Sequence, residues 1–216
     1  MGQINLWPHD LITFPDLNIF QCQGECPSWA IKSLAETHTV VVRRGLQVQG
    51  MVPVGVRGYE RAHRLGGFLK VQDAASFEIT TPYKLAEEQL WQRLKEKRLQ
   101  LPALHALDQI SQDLRAYQWG IGGSSGYELT TGYPTVKPSS DLDLILTNCS
   151  KMTSREAKGL IQKINSHGVH ADIQIVQGQD GFSLEEYVNA RARSVLIKTA
   201  TGPILSQDPF DQLGRS

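Results

Sequence analysis

The chain has 216 residues, 40 % of them hydrophobic, which is enough for a real core and too many for a disordered chain. Lys plus Arg and Asp plus Glu balance at 22 each, and a formal net charge of zero argues against a general nucleic-acid binder, which is normally basic. No apolar stretch is long enough to span a bilayer, and the first ten residues lack a basic start and an apolar block. A cytoplasmic location, with no membrane partner, is the expectation.

Cys22, Cys26 and Cys149 are too few and too irregularly spaced for a disulfide framework, so reduced thiols are expected. Cys22 and Cys26 with His38 lack a fourth ligand at a familiar spacing for zinc. Strand-like runs dominate the first half, at 39–43, 51–56 and 77–80, and a charged helix over 84–99 carries Leu90, Trp91 and Leu94 on one stripe. Between 43 and 70 the chain holds Arg43, Arg44, Arg57, Arg61, Arg64 and Lys70 against one acid, Glu60. Interspersed glycines and arginine forks suit a polyphosphate, while most charge runs are solvated surface. Arg57 and Arg61 are the preferred candidates for such a seat, with Lys198 a weaker one and Lys137 held in reserve.

The composition changes near Pro102. Leu104, Leu107, Ile110, Leu114 and Tyr117 recur at helical spacing. A short strand ending at Ile121 runs into the small-residue turn Gly122-Gly123-Ser124, where backbone N–H groups can approach an anion. Next comes an apolar run interrupted by Asp141 and Asp143. In a strand these two carboxylates share one face, and Leu142, Leu144 and Leu146 take the other. Paired carboxylates repel, and a cation relieves them; oxygen ligands with room for water and phosphate suit Mg²⁺, one or two ions. Thr153 to Glu156 reads as a capping box opening a helix with Ala157, Leu160, Ile161 and Ile164 inward. His167 and His170 mark its end. Asp172 lies in the following strand, sharing a face with Gln174. Ser183 to Glu186 reads as a second capping box, of a helix running towards Arg191, and 194–198 as a final strand.

A glycine-serine turn, a short helix, an Asp-x-Asp strand and a third acid on a later strand resemble the nucleotidyltransferase superfamily of the DNA polymerase β type. The likeness narrows. Residues 119–132 (WGIGGSSGYELTTG), 138–144 (PSSDLDL) and 53–58 (PVGVRG), with Lys198-Thr199, Gly202-Pro203, Asp208-Pro209 and His9-Asp10, resemble the phosphoribosyl-dephospho-CoA transferases, the holo-acyl-carrier-protein synthases of malonate decarboxylase. The resemblance spans nearly the whole chain.

It implies an α+β protein: a nucleotidyltransferase-like mixed sheet with helices in 101–216, preceded by a smaller strand-rich N-terminal domain over 1–100 that binds substrate or partner. It implies a triphosphoribosyl-dephospho-CoA substrate, a serine of the apo acyl-carrier subunit of malonate decarboxylase as acceptor, and pyrophosphate as leaving group. Asp141, Asp143 and Asp172 would be the catalytic acids and Mg²⁺ ligands. On physical grounds Gly122, Gly123 and Ser124 would bind the terminal phosphates, and the basic candidates Arg57, Arg61 and Lys198 the rest of the substrate. Two alternatives stand beside this: a Mg²⁺-dependent transfer of a nucleotide from ATP to another hydroxyl, and a non-catalytic nucleotide- or carrier-binding module.

Overall fold

A computed structural model describes residues 5–60, 62–71, 76–190 and 194–213. In chain order the first part runs β1 (Leu11–Thr13), β2 (Phe20–Cys22), α1 (Ser28–Thr37), β3 (Thr39–Val42), β4 (Met51–Arg57), β5 (Arg64–Lys70) and β6 (Glu78–Thr80). These strands form one antiparallel sheet in the order β2-β5-β4-β3-β1-β6. Strand β4 shows why: Val52, Val54 and Val56 are buried while the residues between them are partly open, the period-two pattern of a sheet with one covered face. Together with Ile12, Phe14, Leu34, Val40 and Leu69 these valines build the first core.

The second part runs α2 (Pro82–Glu87), α3 (Glu96–Leu99), α4 (Pro102–His105), α5 (Leu107–Asp113), β7 (Gln118–Ile121), α6 (Gly123–Thr131), β8 (Leu142–Thr147), α7 (Ser154–Asn165), β9 (Ala171–Gln177), β10 (Asp180–Ser183), α8 (Leu184–Asn189), β11 (Val195–Thr199), β12 (Gly202–Ser206) and α9 (Pro209–Gln212). Its sheet has the order β12-β11-β10-β9-β8-β7. β8 and β9 are parallel, and helix α7 makes the crossover such a pair requires. The mixed α+β architecture agrees with the sequence reading.

Several local readings hold in detail and others do not. The Thr153 capping box is complete: the Thr153 hydroxyl accepts from Glu156 N–H and the Glu156 carboxylate from Thr153 N–H. The second box is half formed. Ser183 Oγ accepts from Glu186 N–H, but Glu186 Oε1 accepts from Leu196 N–H instead of returning to the cap. The helix expected over 84–99 is interrupted. α2 ends at Glu87, Gln89 takes left-handed backbone (φ 48°), and a 3₁₀ turn Leu90–Arg93 precedes α3. The break is fixed from outside, because Trp91 is buried and its Nε1–H donates to Asp108 Oδ1 at 2.6 Å. Leu85, Ala86 and Trp91 thereby enter the second core with Leu104, Leu107 and Ile110.

The strand beginning at Val195 is not the last, since it pairs with β12 in a hairpin. Cys22 and Cys26 are not free thiols but a disulfide: Gly24 (φ 92°) reverses the chain between them and brings their Cα atoms to 5.7 Å. Arg61 and Arg191 lie outside the described residues. Among the described residues no helix is long and apolar enough to cross a membrane.

Candidate active site

The acids are placed by strand register. Asp143 on β8 and Asp172 on β9 are Cα partners in the parallel pair, so their carboxylates emerge side by side on one face. The opposite face carries Leu142, Leu144 and Leu146 into the core, each 0 % exposed. Asp141 stands just before β8, and its Oδ1 is 3.6 Å from His170 Nδ1. Burial raises the Asp143 pKa, the neighbouring Arg57 lowers it, and Asp172 raises it again. Three carboxylates thus crowd one end of the sheet, with arginine as their present counter-charge.

The turn before α6 meets this acid edge. Gly122 N–H donates to the Asp143 carbonyl at 2.9 Å, which ties the turn to β8. Gly123 adopts φ 57°, and a Cβ there would overlap the Asp143 carboxylate, so both conformation and contact require glycine. Helix α6 opens without a side-chain cap, leaving first-turn N–H groups for another acceptor. Ser124 is 5 % exposed, and Ser125 buries its hydroxyl without a hydrogen-bond partner.

What holds α6 was not read from the sequence. Glu128 is 2 % exposed and receives Arg98 in a two-pronged pair, Nε to Oε1 and Nη2 to Oε2, both 2.7 Å. Glu128 Oε2 also accepts from Val136 N–H at 2.8 Å, and Arg98 Nη2 donates to the Val136 carbonyl at 2.8 Å. A buried carboxylate that accepts three hydrogen bonds in this way anchors the helix against the 133–137 loop. Only the fold shows the pairing, because the partners are 30 residues apart.

Opposite the acids stands the open face of the first sheet. A cleft of about 670 Å³ lies between them, bounded by Arg43, Arg57 and Arg64 on one side and by Gly123, Asp143 and Asp172 on the other. A smaller recess of about 270 Å³ shares Arg57, Arg64, Asp143 and Asp172 and adds Ser124, Lys137 and Asp141. Arg57 is fixed through its backbone, whose carbonyl accepts from Ser33 Oγ at 2.5 Å. Burial chiefly, and then Arg64, lower the Arg57 pKa, while Asp143 and the Tyr127 hydroxyl support its charge. Lys198 lines the far end of the larger cleft with Gln174 and His9. The structure therefore brings together Asp141, Asp143, Asp172, Gly122, Gly123, Ser124, Arg57 and Lys198.

Arg43, Arg64, Tyr127 and His9 join them without having been singled out. Arg64 and Arg43 were visible only as members of the basic run. Gly66 leaves room for the Arg43 guanidinium, which a Cβ there would strike. That glycine admits a side chain of the protein, and it also lines the cleft.

The donor set fits Mg²⁺ in kind: hard carboxylate oxygens on one face, in a cleft wide enough for water and phosphate. Among the described residues no three His, Cys, Asp or Glu side chains close around a common point. This suits an ion held by one or two carboxylates plus ligand oxygens, not an all-protein cage.

Two family models match the chain. "Phosphoribosyl-dephospho-CoA transferase MdcG N-terminal domain" covers residues 7–79, and the corresponding C-terminal domain covers 89–209. The chain belongs to the phosphoribosyl-dephospho-CoA transferase family. A relative of that name from Pseudomonas syringae pv. tomato is 35 % identical over 206 residues, 94 % of this chain and 92 % of the relative. One from Pseudomonas fluorescens (strain Pf0-1) is 34 % identical over 205 residues, 94 % of each. One from Azotobacter vinelandii is 30 % identical over 210 residues, 95 % of each. No solved structure matches. As a member of this family the chain is a transferase, an enzyme.

Proposed function

We propose that the enzyme transfers the phosphoribosyl-dephospho-CoA group from its triphosphate precursor to a serine of the apo acyl-carrier subunit of malonate decarboxylase, releasing pyrophosphate in the cytoplasm. The observation that carries this reading is the placement of Asp143 and Asp172 in register beneath Gly123, opposite Arg57 and Arg64. In this division of labour the part of the chain bearing the first sheet holds the substrate, and the part bearing the second performs the transfer.

Asp141 and Asp143 would hold Mg²⁺, with Asp172 completing a second site or accepting the serine proton. Bound there, Mg²⁺ would supply charge neutralisation at the transferring phosphorus and lower the pKa of the attacking hydroxyl. The N–H groups at the start of α6 and the Ser124 hydroxyl receive the terminal phosphates. Arg57 and Arg64 hold the polyphosphate in line with the incoming serine. Asp143 must be ionised for this. A phosphate ligand would bring more negative charge, so the arginines beside Asp143 matter for its protonation as well as for binding.

Donor identity tests the reading. Purified enzyme, Mg²⁺ and apo carrier subunit are incubated with the triphosphoribosyl precursor or with ATP, and the carrier is weighed intact. A gain equal to the phosphoribosyl-dephospho-CoA group with the precursor alone is expected. An adenylyl gain with ATP and none with the precursor would move the enzyme to the alternative, nucleotide transfer from ATP.

A further inference from the structure

We propose that His9 and Lys198 form a second anion seat in the cleft, holding the diphosphate bridge of the dephospho-CoA part of the ligand, apart from the seat at Arg57 and Arg64 for the reacting polyphosphate. This rests on the substrate reading above and adds to it which groups hold which end.

His9 is held in place at a cost. Its φ of 80° lies in the left-handed region that non-glycine residues avoid, and its N–H is tied to the Val42 carbonyl at 3.0 Å. Its ring forms part of the cleft wall, yet Nε2 is sealed from solvent with no hydrogen-bond partner. A buried ring nitrogen left unpaired is unfavourable, so the position calls for a partner that arrives with the ligand. Two cations stand close by. Lys198 lines the same end of the cleft, and Arg44 reaches in from behind with its Nε–H donating to the Gln179 carbonyl at 2.6 Å. Burial first, then Arg44 and Lys198, push the His9 pKa down to about 4, so the ring is neutral near neutral pH. Asp180 interacts with Arg44 from the other side. The environment of His9 thus favours an anion.

Sheet register separates this place from the acids. Lys198 pairs with Gly181, and Gly181 with Val176, which shares a face with Asp172 four residues earlier on β9. Lys198 is therefore two strands, about 10 Å, across from β9 and about 13 Å along it from Asp172. Gln174 lies between. A dephospho-CoA carries its own diphosphate, joining adenosine to the pantetheine arm. In the triphosphoribosyl form the reacting triphosphate sits on a second ribose. Two linked sugar rings keep the charged groups apart, so one seat cannot hold both. The cleft offers one cationic group at each end.

Calorimetry on the whole enzyme with Mg²⁺ tests this with two probes, dephospho-CoA and inorganic tripolyphosphate. His9→Gln and Lys198→Gln should each weaken dephospho-CoA by about tenfold and tripolyphosphate by less than about twofold, with Arg57→Gln doing the reverse. In the unaltered enzyme, saturating tripolyphosphate should leave dephospho-CoA binding in place, a readout that needs no variant to fold. Mutual exclusion of the probes, or equal losses for both in His9→Gln and Lys198→Gln, would overturn the second seat. Failure of the unaltered enzyme to bind dephospho-CoA at all would overturn the substrate reading itself.

Discussion

The two faces of the cleft are built in opposite ways. On the second sheet, charge of one sign is concentrated by local rules: Asp141 and Asp143 are two residues apart, and Asp172 is their neighbour through one parallel pairing. Facing them the cations are spread: Arg43, Arg57 and Arg64 come from the first sheet, and Lys198 stands on β11, two strands from β9 on the acids' own sheet. The acid edge needs rigidity, because the groups handling the transferring phosphorus must stand at fixed separations, and adjacent strands provide this. The basic side needs reach, because it must follow a long ligand. Variants on the acid side should therefore change turnover, and variants on the basic side affinity.

Asp143→Asn gives the largest expected effect. The amide keeps the shape but loses the charge that would hold Mg²⁺, and several kcal/mol of transition-state stabilisation correspond to a loss of about 10³-fold or more in kcat. Circular dichroism and Tm should remain close to those of the unaltered enzyme. Near-normal turnover at saturating Mg²⁺ would erase the distinction between the two faces.

Glu128→Ala acts on neither face directly, and its loss should appear in stability. Removing the buried partner leaves the partly exposed Arg98 without its ion pair and frees the buried Val136 N–H, for a cost of about 1–3 kcal/mol in denaturant unfolding. A change below about 0.5 kcal/mol would show the pair behaving like an exposed one.

Gly123→Ala sharpens the comparison because it moves an acid without removing it. The new Cβ meets the Asp143 carboxylate and must hold φ near 57°, a strain of about 1–2 kcal/mol. Turnover should fall by about a hundredfold, more than the strain alone explains, because the carboxylate is displaced. A stability loss with normal turnover would make the turn purely structural.

Arg57→Gln should raise the KM for the triphosphoribosyl substrate by about tenfold with a smaller change in kcat, and added salt should mimic the defect. Unchanged KM with normal stability would make Arg57 a surface residue, and lost stability with normal KM would make it a structural ion pair.

The smallest effect concerns pH. The folded His9 pKa of about 4 lies below the ordinary 6.5, so the folded state binds fewer protons and its stability falls as pH drops through that window. Asp10 acts in the opposite direction: burial raises its pKa from 3.8 to about 6, so its contribution is lost as pH rises between those values. His9→Gln removes the first and leaves the second. The Tm difference between the unaltered enzyme and His9→Gln should therefore shift in favour of the variant as pH falls from 7 to 4.5. A pH-independent difference would mean that His9 is not held neutral.

The acid side was legible in the sequence because its chemistry and its periodicity coincide. A two-residue spacing fixes a shared face, and the leucines between the acids fix which face is buried. The Thr153 cap and the short strand before Gly122 followed from equally local signals, whereas the α+β class came with the family resemblance. The basic side was only half legible. Arg64 begins a strand whose central glycines hide its β pattern, His9 reaches the cleft through a strained backbone, and Arg61 falls outside the described residues. The Arg98–Glu128 pair, the interruption at Gln89 and the Cys22–Cys26 bond depend on partners or turns that no periodicity announces.

The most direct measurement of the central claim is single-turnover pyrophosphate release from the triphosphoribosyl precursor in the presence of apo carrier subunit, followed with Mg²⁺ and with chelator. One pyrophosphate per serine modified is expected in the unaltered enzyme. Release should be abolished by chelator and by Asp143→Asn, and preserved in Arg57→Gln at saturating precursor. Release at the unaltered rate from Asp143→Asn, or in chelator, would contradict the placement of the chemistry at the acid edge.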